Sequence, residues 1–227
     1  MSTQLIVALD VDTAAEGLAL VDRIGDACQW YKVGKQLFTR FGPEVVRELK
    51  NRGKKVFLDL KFHDIPNTVR EAVRSAAAIG ADLTNVHASG GAAMLAAAAE
   101  GARESSILLI AVTVLTSMDE AELAGIGINA TPRDQVVRLA RLTQASGVPG
   151  VVCSALEIES LRTACGPDFV LVVPGIRPAG ASTDDQKRIM TPTQAAQLGA
   201  DYIVVGRPIL RAADPAAAAR AVVAELA

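Results

Sequence analysis

Eight short apolar, β-branched runs recur along the chain: Leu5 to Leu9, Trp30 to Val33, Val56 to Leu60, Leu83 to Val86, Ile107 to Leu115, Val151 to Cys153, Phe169 to Val173 and Tyr202 to Val205. A strand that is apolar at every position has no face to offer to water, so both of its faces must be covered. Longer segments with helical periodicity separate the runs, and this alternation is that of a parallel sheet with helices packed against it. Several helix ends are legible. Thr13-Ala-Ala-Glu16 and Thr191-Pro-Thr-Gln194 fit the capping box, Pro43, Pro66 and Pro215 suit a first helical position, and Gly53, Gly80 and Gly199 fall where helices should stop. Eight strand–helix units in 227 residues imply a compact α/β architecture, a (β/α)8 TIM barrel forming a single domain over residues 1–227. An open doubly wound sheet shares the alternation but usually needs fewer strands.

In such strands, polar residues should appear only where a strand ends, and they do. Asp10 follows the first run, Lys32 lies late in the second, Asp59 and Lys61 close the third, His87 the fourth and Thr116 the fifth; Ser154, Pro174 to Arg177 and Gly206-Arg207 close the last three. All of these ends face the carboxyl-terminal mouth, where barrel enzymes build their sites. The densest constellation is Asp59-Leu-Lys61-Phe-His-Asp64, in which Asp59 and Lys61 are two apart and so share one strand face. An arbitrary D-x-K is most often a structural ion pair, but charge at the end of an apolar strand is costly to desolvate without partners. Lys32 on the neighbouring strand and Asp64 could complete an alternating Lys-Asp-Lys-Asp cluster, which points to catalysis. A lysine between carboxylates favours its charged form, so Lys61 reads as a proton donor and not as a Schiff-base nucleophile.

A second constellation joins Arg177, the polar segment Pro178 to Arg188 with Gln186 inside it, and Gly206-Arg207. Loops after the seventh and eighth barrel strands commonly hold a phosphate through backbone N–H groups and a guanidinium fork. The long polar segment reads as a lid that closes on a ligand. His63 and His87 read as structural or loop-tying groups, and Trp30, Phe38 and Phe41 as packing residues. Lys and Arg total 23 against 25 Asp and Glu, a net charge of −2 that argues against a nucleic-acid partner. The apolar runs are far shorter than the ~20 residues of a membrane span and no signal-peptide pattern opens the chain, so a soluble cytoplasmic protein is expected. Cys28, Cys153 and Cys165 have no CxxC spacing and read as buried thiols, and two histidines without HxxxH spacing make a nitrogen- or sulfur-ligated metal improbable. A magnesium site built only from oxygens stays open.

The motifs Val7-Ala-Leu-Asp10, Lys32-Val-Gly34, Phe57-Leu-Asp-Leu-Lys-Phe-His-Asp-Ile-Pro-Asn-Thr68, Val114-Leu-Thr-Ser-Met118, Pro174-Gly-Ile-Arg177 and Gly206-Arg207 resemble the orotidine 5′-phosphate decarboxylase family over nearly the whole chain. The resemblance implies decarboxylation of orotidine monophosphate to uridine monophosphate with no metal or organic cofactor. It implies that Lys61 protonates the carbon left by CO2, with Asp59 near the leaving carboxylate and Lys32 and Asp64 completing the charged array. It further implies that Asp10, Lys32 and Thr68 hold the ribose, that Thr116 and Ser117 contact the pyrimidine, and that Arg177, Gln186, Gly206 and Arg207 take the phosphate. Asp64 through Thr68 would reach the site of a partner subunit, making a homodimer with shared active sites. Keto-gulonate-phosphate decarboxylases and hexulose-phosphate synthases share the barrel and the D-x-K-x-x-D run but use magnesium and match Ile65 to Thr68 and Pro174 to Arg177 poorly. A catalytically dead nucleotide-binding dimer is disfavoured by the intact Lys32, Asp59, Lys61 and Asp64.

Overall fold

Each of the eight runs forms a strand, and the strands pair in sequence order until the eighth closes on the first. The computed structural model describes residues 2–178 and 190–226. In chain order its elements are β1 (Gln4–Ala8), α1 (Ala14–Ile24), β2 (Trp30–Gly34), α2 (Lys35–Phe41), α3 (Glu44–Asn51), β3 (Lys55–Phe62), α4 (Pro66–Ala78), β4 (Leu83–His87) and α5 (Gly91–Arg103). They continue with β5 (Leu108–Val112), α6 (Glu120–Gly125), α7 (Pro132–Ala145), β6 (Gly150–Val152), α8 (Ile158–Cys165), β7 (Val170–Pro174), α9 (Pro192–Gln197), β8 (Tyr202–Val205), α10 (Arg207–Leu210) and α11 (Pro215–Ala224). All pairings are parallel, which is the closed barrel expected from the alternation.

Because side chains alternate across a strand, the barrel has two separate cores. The outer one lies between sheet and helices and includes Val7, Val33, Leu58, Val86 and Ile203. The inner one plugs the barrel with Ile6, Trp30, Phe57, Leu83, Ile110, Val172 and Val204. Moving two residues onward along the inner face from this plug reaches Lys32 on β2, Asp59 on β3 and Asn85 on β4, and four residues onward from Ile6 reaches Asp10. The same periodicity that fills the lower barrel with hydrocarbon therefore stacks polar groups above it.

The expected helix ends are largely present. Thr191 and Gln194 form a reciprocal capping box, whereas Thr13 makes only its half, accepting the Glu16 N–H. Pro66 and Pro215 open α4 and α11, Pro43 stands one residue before α3, and Gly53, Gly80 and Gly199 all adopt positive φ. Two expectations need correction. The fifth strand stops at Val112: Thr113 gives its N–H and its hydroxyl to the Val152 carbonyl and the chain then leaves the sheet, so Thr116 lies in the following loop and does not close the strand. Cys28 and Cys153 are buried, and burial pushes the Cys28 thiol up to about 11; Cys165 is only half-buried, since it is the last residue of α8.

Candidate functional site

The polar groups above the inner plug form a continuous chain of alternating charge. Lys32 Nζ lies 3.0 Å from Asp10 Oδ1 and 3.6 Å from Asp59 Oδ2, and Lys61 Nζ lies 2.5 Å from the other Asp59 oxygen, Oδ1. Asp59 is 9% exposed and so cannot rely on water for its solvation. Burial pushes its carboxyl upward, but the charges of Lys32 and Lys61, with hydrogen bonds from Lys61 and Asn85, outweigh that and hold it below the usual carboxylate value. Gly34 leaves room for the array: a Cβ there would stand 3.0 Å from Lys32 Nζ and 3.5 Å from Asp10 Oδ1.

Lys61 reaches this position by an irregular route. The β3–β4 register shifts between Leu58 and Phe62, and Lys61 has φ +54°, the only non-glycine positive φ among the described residues. Strict period-two alternation, the basis for pairing Asp59 with Lys61, therefore does not hold at this step even though the two side chains meet. Asn85, fully buried on β4, spans the irregularity: its side chain accepts from the Lys61 N–H at 2.8 Å and donates to Asp59 Oδ1 at 2.7 Å. Sequence reasoning missed Asn85. The signal was there, a lone carboxamide in Leu83-Thr-Asn-Val-His87, two residues after an inward-facing leucine.

Two connected spaces open beside the array. A cleft of about 530 Å³ is lined by Asp10, Lys32, Arg177, Gly206 and Arg207. A more apolar cavity of about 210 Å³ is lined by Asp59, Lys61, Phe57, Val114, Thr116, Val152 and Val172, with Lys32 shared between the two. Arg177 is buried, its backbone N–H donates to the Met190 carbonyl, and its guanidinium donates to the Ile176 carbonyl. Asp64 stands apart: it is exposed, its carboxylate accepts the adjacent Ile65 N–H at 2.7 Å, and no ion pair reaches it among the described residues. Thr68, in the first turn of α4, and Ser117 are also exposed. Gln186, and the lid expected over Pro178 to Arg188 apart from Pro178 itself, lie outside the described residues.

A family model described as "Orotidine 5'-phosphate decarboxylase / HUMPS family" matches residues 3–222. The chain belongs to the orotidine 5′-phosphate decarboxylase family. Membership makes it a carboxy-lyase of UMP synthesis. It is 56% identical over 222 residues to the orotidine 5′-phosphate decarboxylase of Vibrio vulnificus (strain YJ016), covering 96% of each chain, and 54% identical over 225 residues to that of Haemophilus influenzae (strain PittEE), covering 98% of each. The crystal structure of orotidine 5′-phosphate decarboxylase from Lactobacillus acidophilus superposes with a TM-score of 0.88 at 40% identity, covering 99% of each chain. That of an uncharacterized conserved protein from Geobacillus kaustophilus superposes with a TM-score of 0.87 at 39% identity, covering 98% of this chain and 100% of that one.

His87 ends β4, two residues beyond Asn85, its ring 5.5 Å from that of His63. Burial first, then the positive charges of His63, Lys35 and Lys61, hold its imidazole below the usual histidine value, against an opposing pull from Asp59. An unfolded histidine titrates near ~6.5, so as pH falls below that value the unfolded chain takes up this proton first and the fold loses stability until the folded His87 also titrates. Imidazole NMR of the two histidines is expected to show His87 titrating below ~6.5. A His87 midpoint at or above that value would contradict the assignment.

Proposed function

We propose that the chain decarboxylates orotidine 5′-monophosphate to uridine 5′-monophosphate by setting fixed charges around the reacting carbon. The observation that carries this reading is the chain of alternating charge Asp10–Lys32–Asp59–Lys61, whose last three members wall a cavity of about 210 Å³, the size of a heterocycle, beside a cleft lined by Arg177, Arg207 and Arg211. The pyrimidine lies in the apolar cavity against Thr116, with Ser117 in the same loop. The ribose hydroxyls meet Asp10 and Lys32, and the phosphate meets Arg177, Gly206 and Arg207, with Gln186 added from the lid. The bond from C6 to the carboxylate breaks, CO2 departs, and the electron pair remains on C6. That carbanion has no conjugated sink, so stabilisation must come from preorganised charge, which is usually the largest catalytic contribution. The Lys61 ammonium supplies it and then transfers a proton to C6, leaving a neutral amine that solvent reprotonates. Asp59, pinned beside the departing carboxylate, orients both lysines.

The reading extends to a homodimer with shared sites. Asp64, Ile65 and Thr68 form an exposed edge at the mouth, and Ile65 presents an apolar side chain at 68% exposure beside a strongly charged rim. A second chain covering Ile65 carries Asp64 and Thr68 to its neighbour's array, Asp64 completing the charges and Thr68 reaching the ribose.

Lys61→Ala is expected to lower kcat/KM by at least about 10³-fold while the protein stays folded and still binds uridine 5′-monophosphate, because the phosphate contacts lie on other loops. Near-normal turnover by the folded variant would refute the proton-donor role. For the shared site, inactive Lys61→Ala and Asp64→Ala chains are dissociated together and reassembled. Random pairing makes half the dimers mixed, and each mixed dimer holds one site with both defects and one with neither, so about a quarter of wild-type activity should return under two-fold symmetry. Confirmed heterodimers no more active than the separate variants would show that both residues serve the same chain's site.

A further inference from the structure

We propose that Asn85 is a positioning residue for decarboxylation: its carboxamide clamps the Asp59 carboxylate and the Lys61 backbone in the one relative arrangement that lets Lys61 face the reacting carbon. The inference rests on the reading of Asp59 and Lys61 as the reacting pair, and it goes beyond that reading by saying what holds them.

The orientation of the amide is forced by its partners. A carboxylate can only accept and a backbone N–H can only donate, so Nδ2 must face Asp59 Oδ1 and Oδ1 must face the Lys61 N–H, at 2.7 and 2.8 Å. No other side chain of this length offers a donor and an acceptor on one rigid plane. Aspartate offers two acceptors, and serine offers both functions on a single atom that cannot span the two partners. Both bonds are needed because the local backbone is unfavourable. Between Leu58 and Phe62 the β3–β4 pairing is interrupted, so the Lys61 N–H has lost its regular strand partner, and Lys61 takes a φ of +54° that is unfavourable in a residue with a Cβ. An unsatisfied N–H there would let the strand end relax to ordinary extended backbone and swing the lysine away.

The other half of the clamp fixes rotation of the Asp59 carboxylate. Oδ1 receives Lys61 Nζ and Asn85 Nδ2 while Oδ2 faces Lys32, so without Nδ2 the carboxylate could turn and break the order of the array. The charged and titratable groups around Asn85 are Asp59 and Lys61 on β3, Lys32 beyond Asp59 on β2, and His87 two residues further along β4; its register partner on β5 is the uncharged Ile110. The Asn85 hydrogen bond is one of the causes that keep the Asp59 carboxyl low.

The test compares Asn85→Ala and Asn85→Asp with wild type and with Lys61→Ala, each checked for folding by circular dichroism. Asn85→Ala should lose about 100-fold in kcat, with KM for orotidine 5′-monophosphate and affinity for uridine 5′-monophosphate nearly unchanged, because reacting groups are displaced while the phosphate grip is not. Its acid limb should also move to higher pH, since Asp59 has lost a donor. Asn85→Asp keeps the acceptor for the Lys61 N–H but sets a second carboxylate against Asp59. One proton shared between them would restore the missing donor, so this variant alone should gain activity as pH falls. If a variant fails to fold, amide exchange in the wild-type enzyme still decides: Lys61 N–H should be strongly protected, and rapid exchange would overturn the clamp. Folded Asn85→Ala with wild-type kcat and an unshifted acid limb, alongside inactive Lys61→Ala, would overturn the positioning role alone. Active Lys61→Ala would instead overturn the underlying assignment of the reacting pair.

Discussion

An isolated carboxylate at the depth of Asp59 would be neutralised by protonation, because desolvation disfavours its charge. Lys32 on β2, Lys61 on β3 and Asn85 on β4 prevent this, each from a different place on the barrel wall. Three adjacent strands must therefore stand in fixed register for the charge to survive. The barrel supplies that register through backbone pairing and through the hydrocarbon plug of Trp30, Phe57 and Leu83, which sits one inward position below Lys32, Asp59 and Asn85. The array is thus the upper layer of the barrel interior, and charges set by strand register are what the proposed electrostatic preorganisation requires.

The two halves of the mouth divide the work by polarity. The cavity beside Asp59 and Lys61 is walled largely by valines and Phe57, where charge interactions are least screened, while the cleft around Arg177, Arg207 and Asp10 is open and charged. A ligand with a flat ring at one end and a dianion at the other matches this division. On the proposed reading, grip on the remote dianion is spent on holding the ring against Lys61.

The barrel was legible in the sequence because its signals are local and repeated: continuous apolar runs, glycines that end helices at Gly80 and Gly199, and the reciprocal cap of Thr191 and Gln194. The charged array was legible because charges at the ends of apolar strands are anomalous. What escaped were features that depend on pairing between strands. The β3–β4 register shift and the left-handed Lys61 have no local signature, so Asn85, whose role exists only across that shift, read as one more strand residue. Thr116 was displaced from the fifth strand because the apolar run continues through Leu115 after the hydrogen-bonded ladder has ended. Cys165 was assigned to the core from residue type alone, although a helix end stands near the surface.

Whether a buried Asp59 is kept ionised by the groups around it is open to direct measurement. Carbon-13 NMR of protein labelled at the aspartate carboxyl carbons, with the Asp59 signal assigned from Asp59→Asn, follows that one group through acidification. Asp59 is expected to remain ionised below the usual carboxylate midpoint of about 3.9 for as long as the protein is folded. A midpoint at or above that value would mean that desolvation outweighs Lys32, Lys61 and Asn85, and that the mouth does not hold the charge array described for it.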